Sequence, residues 1–464
     1  MRTVGTVPGM RILISGAGIG GLALAQALRR GGLEVAVYER DPSPQTRRQG
    51  YRIHIDHDGN EALRACLPPE VLDLAHRTSG DTGDRIAFYT QDLVELSSQV
   101  FPDIPASEIT NVDRDTFRQS LLTGLDVSFG HTVTGYDLTP SGRVRVALST
   151  SPPTTSPTPS TDGTAASVGR PAFSASSPTS TAASPASVVG GTSSSPGGPA
   201  SSAGGTASSV GVTASSAGGT ASSDGGDGSS GDGSSGGGSF FDEGDLLVGA
   251  DGVGSAVRRQ LAPSATLRDL GLRCLYGRMP LDGATLPPDF GRGFSWVAGA
   301  NGYGAGFAPV RFRTPAGVPD YLMTTLVAPT GVLGNLDLPS EALQQICLDA
   351  SATWHPAVRH LFAAADPTSF FPIAIRAGTR ITPWSSGQVT LLGDAIHTMP
   401  PAGGVGANTA LQDAALLAAE ILSGKPLPEA VAAYESVMLP RGFDTIDKSI
   451  RMIGRMVPQP GARP

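Results

Sequence analysis

Residues 11–40 read RILISGAGIGGLALAQALRRGGLEVAVYER, and the fold turns on what their spaced glycines are for. Arg11 to Ser15 has the apolar density of a buried strand. Gly16, Gly18 and Gly21 come next, Leu22 to Arg30 has helical character, and Gly31-Gly32 ends that helix. EVAVYE (34–39) supplies a second strand that finishes on Glu39. In this order the glycines have distinct uses: one makes a tight turn, one lets the backbone approach a pyrophosphate, and one lets helix and strand close together. The helix N-terminus then offers N–H groups and a positive dipole end to the phosphates. Glu39 stands where it accepts hydrogen bonds from ribose hydroxyls. Glycines alone also suit a structural turn. With both strands, the helix and the acid in order, the stretch predicts a dinucleotide site, FAD or NAD.

Two later stretches have the same build. DLLVGADGVGSAVRRQL (245–261) runs a strand, Leu246 to Val248, into Gly249-Ala-Asp251-Gly252, with a helix expected over Ser255 to Leu261. VTLLGDAIHTMPPAGGVGANTALQDAALLAAEIL (389–422) runs a strand, Val389 to Leu392, into Gly393-Asp394, a Pro/Gly loop and a long Ala/Leu-rich helix. Asp394 ends a strand, where open α/β sheets bind ligands, and its carboxylate suits a polyol. Pro400 and Pro401 stiffen the loop, while Gly403, Gly404 and Gly406 allow a flat ring to approach the backbone. Asn408 or Thr409 is expected to cap the helix, whose N-terminal dipole favours negative charge nearby.

With these three motifs in this order, the chain resembles the single-component FAD-dependent aromatic hydroxylases, the group A flavoprotein monooxygenases. Gly16, Gly18 and Gly21 match that family's dinucleotide fingerprint. GADG (249–252) matches its DG motif, with Asp251, which serves both FAD and NAD(P)H. GDAIHTMPPAGGVGAN (393–408) matches its GD motif, whose aspartate, here Asp394, binds the ribityl chain, with Gly406, Ala407 and Asn408 beyond it. Arg114 in VDRDTFRQSLL resembles the family arginine that opens a helix and reaches FAD, and Gly50 the glycine after the second strand. The resemblance covers Arg11 to about Ile453 and leaves out a Ser/Gly tract.

The resemblance implies an α/β fold: a Rossmann-like FAD-binding domain of the GR2 type, an interleaved antiparallel-sheet substrate domain and a C-terminal helical segment. The expected layout is an FAD-binding part at 10–148, with an early substrate-domain segment near 80–110. An insertion takes 149–239, then the DG part 240–265. The sheet domain takes 266–380, the GD part 381–425, and a helical segment and tail 426–464. Between the DG and GD motifs, short β-rich runs separated by Gly, Asn and Pro read as antiparallel strands. GYGAGF (302–307) is no second fingerprint, since no amphipathic helix comes after it.

The implied activity is an NAD(P)H-dependent monooxygenation of an aromatic or polyketide-like small molecule through a flavin C4a-hydroperoxide. A Baeyer–Villiger or epoxidising reaction would use the same fold, and a non-catalytic flavin-binding redox sensor is a reading of another class. Pro401, Gly403 and Gly404 are expected to form the wall beside the flavin edge. Arg278, Trp296, Tyr303, Phe307 and Arg311 are the candidates to face substrate, chosen by position and residue type. No metal is expected: His54 and His57 flank Asp56, but that spacing lacks further ligands. His397 reads as a packing residue.

Composition bounds the rest. Of 464 residues, those from about Ser149 to Ser239 are mostly Ser, Gly, Thr, Ala and Pro. Such a segment has too little apolar surface to offset the entropy of ordering it, and reads as a disordered insertion in a hairpin. The net charge is -8 and gives no sign of a nucleic-acid partner. The three cysteines, Cys66, Cys274 and Cys347, form no CxxC pair, which fits a reducing cytoplasm. No run of eighteen or more apolar residues predicts a membrane span, and the glycine-rich start is unlike a signal peptide. Met10 is an alternative start.

Overall fold

A computed structural model describes residues 9–44, 51–101, 103–150 and 239–457. The segment read as an insertion (151–238 of it) and Gly50 lie outside the described residues. So does the second of the chain's two units, residues 154–207.

Five parallel strands form the first sheet, in the spatial order Val389–Leu391, Leu246–Gly249, Arg11–Ser15, Glu34–Glu39, Val127–Phe129. Its central strands are apolar and buried at Ile12–Ile14 and Leu246–Val248, as a covered parallel sheet requires. Register aligns their ends. Ser15 pairs with Gly249 and with Tyr38, and Gly249 pairs with Leu391. The carboxyl ends of three strands from distant parts of the chain therefore stop level with one another. The turns after them, at Gly16, Ala250 and Leu392, share one edge.

The helix after the first turn begins at Ile19, earlier than its apolar periodicity predicts, and runs to Arg30. Its first turn is built from Gly20 and Gly21, which leave no side chains to count. A Cβ on Gly20 would stand 2.8 Å from Leu392 Cδ1 and 3.2 Å from Ala410 Cβ. Small residues thus let this helix lie against the strand end Leu392 and the helix Gly406–Leu422. A third long helix, Leu427–Met456, continues across an internal Pro440.

The second sheet has seven strands, ordered Phe371–Gly378, Leu267–Pro280, Tyr321–Pro329, Gly304–Val310, Gly293–Ala298, Arg85–Thr90, Glu95–Val100. All pairs are antiparallel except Gly293–Ala298 with Arg85–Thr90. Alternation gives it two faces. One, with Leu326, Phe307 and Val297, is covered by the helices Ser340–Ala350 and Pro356–Ala363. The other, with Tyr276, Trp296 and Met323, faces Ala402 of the Pro/Gly loop and Met456 of the last helix. The fold is thus a Rossmann-like α/β unit joined to a mostly antiparallel sheet, with a helical C-terminal segment.

A small sheet of His131–Leu138, Val144–Thr150 and Ser239–Gly244 flanks the parallel one. Val144–Thr150 and Ser239–Gly244 pair antiparallel with Ser149 opposite Ser239, so the two ends of residues 151–238 leave from adjacent strands. Loop length enters closure entropy only logarithmically. Replacing residues 151–238 with a two-residue Asn-Gly turn is expected to shift the melting temperature by no more than about 3 °C. A melting scan showing a larger loss would assign the segment a structural role.

Candidate active site

A cleft of about 290 Å³ opens at the shared edge of the parallel strands, lined by Gly16–Ile19, Glu39, Arg114, Arg118 and Ala250–Gly252 among others. Gly18, Ile19, Arg114, Ala250 and Gly252 also line a smaller adjoining space of about 70 Å³, which reaches Asp394, Gly406 and Ala407. The three sequence motifs thus border two adjoining spaces that share five lining residues.

The glycines of the first turn divide their work by steric room. Gly16 has φ +107°, and a Cβ there would run into the Ala250 carbonyl. A Cβ on Gly21 would run into the Gly16 carbonyl oxygen. Around Gly18 the same test meets no atom within 4 Å, so its open side is the cleft. Gly18 is also the N-cap of the helix Ile19–Arg30, with no side-chain cap and no acid in the first turn. The first amides of that helix thus have no anionic competitor among their own residues, and the site suits a diphosphate.

Glu39 is nearly buried and closely held: Oε2 accepts from the Ala17 N–H at 2.8 Å and Oε1 from the Asp41 N–H at 3.0 Å. An ionised carboxylate keeps further lone pairs, so a ribose hydroxyl remains a feasible additional donor. Arg114 opens the helix Arg114–Leu122, whose N-cap Asp113 accepts from Thr116 N at 2.9 Å. Arg118, which residue-type reasoning missed, lies one turn further along. It donates to the carbonyls of Ala17 and Pro44 at 2.8 Å and stands 3.6 Å from Glu39. The available signal was its i,i+4 spacing from Arg114, which puts both on one helix face.

Asp251 Oδ2 accepts from Ala256 N at 2.8 Å, while Oδ1 is buried with no hydrogen-bond partner among the described residues. Desolvation by burial holds this carboxyl above its ordinary range. Arg258 was also missed. It donates to Ala395 O and Val253 O at 2.8 Å, tying the second turn to the third. Asp394 begins the short helix Asp394–His397 and lines the smaller space.

Asn408 corrects the capping expectation. The helix starts at Gly406 with Val405 as N-cap, so Asn408 and Thr409 already lie inside its first turn. The Asn408 amide donates to His54 O and Gly404 O at 3.0 Å, and its carbonyl accepts from Asp56 N at 3.1 Å. It joins the Pro/Gly loop to residues 54–56, with Gly404 as the point of attachment on the loop side. Pro401 borders a small space beside Ile373, Ile375 and Met399, and Gly403 lies against Met452, where a Cβ would be 3.3 Å from the sulfur.

Three of the five substrate candidates are displaced from this side. Phe307 sits on the helix-covered face, against Phe290 and Phe362 with ring centroids 5.6 and 5.4 Å away. Tyr303 packs on the same cluster, and Arg311 reaches toward Gly291 beside Phe290. Strand alternation is the cause. Trp296 pairs with Gly306, so the next residue, Phe307, points the opposite way. Trp296 stays on the loop-facing side, buried and stacked with Phe294. Arg278 stands over the rings of Tyr51 and Tyr321 at 4.9 and 5.6 Å. Tyr51, Tyr276 and Tyr321 on that side were not anticipated, since only register reveals them.

The family profile described as an FAD binding domain matches residues 345–449, and one described as an NAD(P)-binding Rossmann-like domain matches residues 14–64. The chain is 26% identical over 497 residues to the dual O-methyltransferase/FAD-dependent monooxygenase CTB3 of Cercospora beticola, covering 96% of this chain and 46% of that protein. The chain spans about half the length of the curated relatives it matches over its whole extent. Among solved structures, a Photorhabdus luminescens protein assigned as an FAD-containing monooxygenase superposes with TM-score 0.69 at 25% identity, over 97% of this chain and 99% of that one. Klebsiella pneumoniae HpxO, solved with FAD and uric acid, superposes with TM-score 0.66 at 20% identity, over 98% and 91%, a likeness of fold.

Steric room separates the roles of two glycines. Gly21→Ala is expected to destabilise the protein by about 3 kcal/mol or more, through the clash with Gly16. Gly18→Ala should melt as wild type yet weaken FAD binding about tenfold, because its methyl group enters the cleft. Melting scans with FAD titration separate the two, and equal melting losses would refute the assignment.

His54, at the end of the strand Arg52–His54, gives a pH prediction. Burial, and then the Arg52 cation, depress its pKa to about 3 from 6.5. The unfolded chain takes up this proton below pH 6.5 while the folded chain does not. The stabilising contribution is therefore present above pH 6.5 and is lost as pH falls toward 3. His54→Gln should flatten the decline of unfolding free energy over that range. An unaltered slope would place the responsible group elsewhere.

Proposed function

The chain belongs to the family of FAD-dependent monooxygenases, and on that premise we propose that it uses NAD(P)H and O2 to place one oxygen on an aromatic or polyketide-like small molecule. The single observation that carries the reading is the convergence of Gly16–Gly18, Asp251 and Asp394 on two adjoining spaces that share Gly18, Arg114, Ala250 and Gly252 as lining.

The residues present fit FAD. The open side of Gly18 and the acid-free helix start suit the pyrophosphate, with Arg114 as its cation. Glu39 takes the adenosine ribose, and Asp394 the ribityl hydroxyls. The buried Oδ1 of Asp251 has no hydrogen-bond partner among the described residues, and a hydroxyl of the dinucleotide would supply one. Gly406 and Ala407 border the smaller space and would adjoin the flavin. Bound FAD would take two electrons from the nicotinamide and activate O2; the rest of the task falls to the protein.

The protein's share is enclosure and orientation. Pro401, Gly403 and Gly404 form the wall facing the apolar side of the seven-stranded sheet, where Trp296, Tyr276 and Met323 exclude water. Arg278, held over two tyrosine rings, supplies a fixed positive charge toward an electron-rich or anionic substrate. HpxO holds the planar heterocycle uric acid together with FAD, and CTB3 couples its monooxygenase to a methyltransferase.

The purified protein is expected to be yellow and to oxidise NADPH or NADH several-fold faster when an accepted phenol or polyphenol is supplied, with a product one oxygen heavier. A flavin-loaded protein that no nicotinamide reduces would favour a redox sensor, and one that takes up no flavin would refute both readings.

A further inference from the structure

A buried ionic cluster lies behind the third turn, outside the set of residues that line the cleft. Asp413, in the helix Gly406–Leu422, has its side chain fully buried. Its Oδ2 accepts from the backbone N–H of Gly393 at 3.0 Å and from the imidazole Nε2 of His397. Its Oδ1 accepts from Arg441 Nη2 at 2.7 Å, a cation that reaches over from the C-terminal helix Leu427–Met456. Gly393 has φ +59° and directly precedes Asp394. One carboxylate therefore grips the turn that aims Asp394 at the cleft.

The C-terminal helix is fitted to this turn along its length. A Cβ on Gly442 would lie 2.7 Å from His397 Cδ2, so a larger residue would push helix and imidazole apart. Two turns earlier, the Tyr434 hydroxyl donates to Leu391 O at 2.8 Å, and Glu435 accepts from Thr390 Oγ1 at 2.7 Å and Trp384 Nε1 at 2.9 Å. Strand Val389–Leu391 and the turn after it are thus held by one helix through polar contacts, which fix direction more narrowly than apolar packing. Burial opposes charge on both His397 and Asp413. Their mutual attraction still holds the imidazole above its ordinary value and the carboxyl below it, with Arg441 adding to the second effect. A lone buried carboxylate would be costly, and the Arg441 cation together with the hydrogen bonds from His397 and Gly393 offsets that cost.

We propose that Asp413 is a positioning residue for the flavin site, and that the C-terminal helix sets the aim of Asp394 through Arg441. The inference rests on the reading of Asp394 as an FAD ligand. Asp413 touches neither cofactor nor substrate in this scheme; it acts through the Gly393 amide.

Arg441 is partly exposed, so the full-length protein tolerates its replacement more readily than that of Asp413. FAD affinity is measured by flavin fluorescence on deflavinated protein, alongside the visible spectrum of bound flavin and the melting temperature without FAD. Arg441→Met is expected to weaken FAD about tenfold or more and to blur the shoulders of the flavin spectrum. Arg441→Lys, which keeps the charge within reach, should stay within about threefold of wild type. Gly442→Ala, which moves the helix and removes no charge, should weaken FAD as Arg441→Met does, and it carries the test if Arg441→Met fails to fold. Unchanged affinity and spectrum in Arg441→Met and Gly442→Ala would overturn the proposal, as would equal losses in the Met and Lys variants. Wild-type protein that binds no FAD would instead overturn the cofactor reading on which it rests.

Discussion

The contact on which the structure depends is the one between Gly16 and the Ala250 carbonyl, where no side chain fits between two backbone segments. A parallel sheet brings strand ends level, but ends carrying side chains would keep the turns beyond them apart. Here the first turn gives up its Cβ atoms toward its neighbours: Gly16 toward Ala250, and Gly21 toward Gly16 itself. The helix can then start at Ile19, directly at the strand end, with its amides at the cleft. Moving either backbone outward by a methyl group would open the site from its floor.

This constraint explains why the meeting of the three turns was readable from residue order. Steric demands of close approach are met by glycine alone, so they appear in sequence as glycines at fixed offsets after an apolar run. Asp251 and Asp394 were readable for a related reason, since each comes just after a strand of the same sheet. What escaped was the fine partition of roles. Asn408 looks like a cap because it precedes a helical run, yet the helix begins at Gly406 and the amide is spent joining two loops. Arg118 and Arg258 bind main-chain carbonyls, and nothing in the local sequence marks an arginine for that use.

The substrate half was less legible, and the reason is parity. Trp296 and Phe307 are both large aromatics on neighbouring strands, but Trp296 pairs with Gly306 and Ser295 with Phe307. One residue of register puts them on opposite faces of the sheet. Both faces are apolar, one meeting helices and the other the Pro/Gly loop, so hydrophobicity does not distinguish them. The row that does face the loop runs Trp296, Gly306, Thr325, Tyr276, Phe371, with aromatic residues at its ends and small ones between. That shape arises from pairing, which a single sequence does not display.

The site is consequently assembled from segments that have little local reason to meet. The strands Arg11–Ser15, Leu246–Gly249 and Val389–Leu391 are neighbours in space only. Such contacts form late and are lost together when the sheet opens. Arg258 and Asp413 hold the second and third turns at points where the strand ladder has ended, so side chains continue the register that backbone pairing began. The strands Val144–Thr150 and Ser239–Gly244 are paired with each other beside this sheet. A ligand spanning all three turns adds its binding free energy to the whole parallel sheet, not to one loop. Spaces bordered by all three turns therefore link any ligand they hold to the stability of the whole sheet.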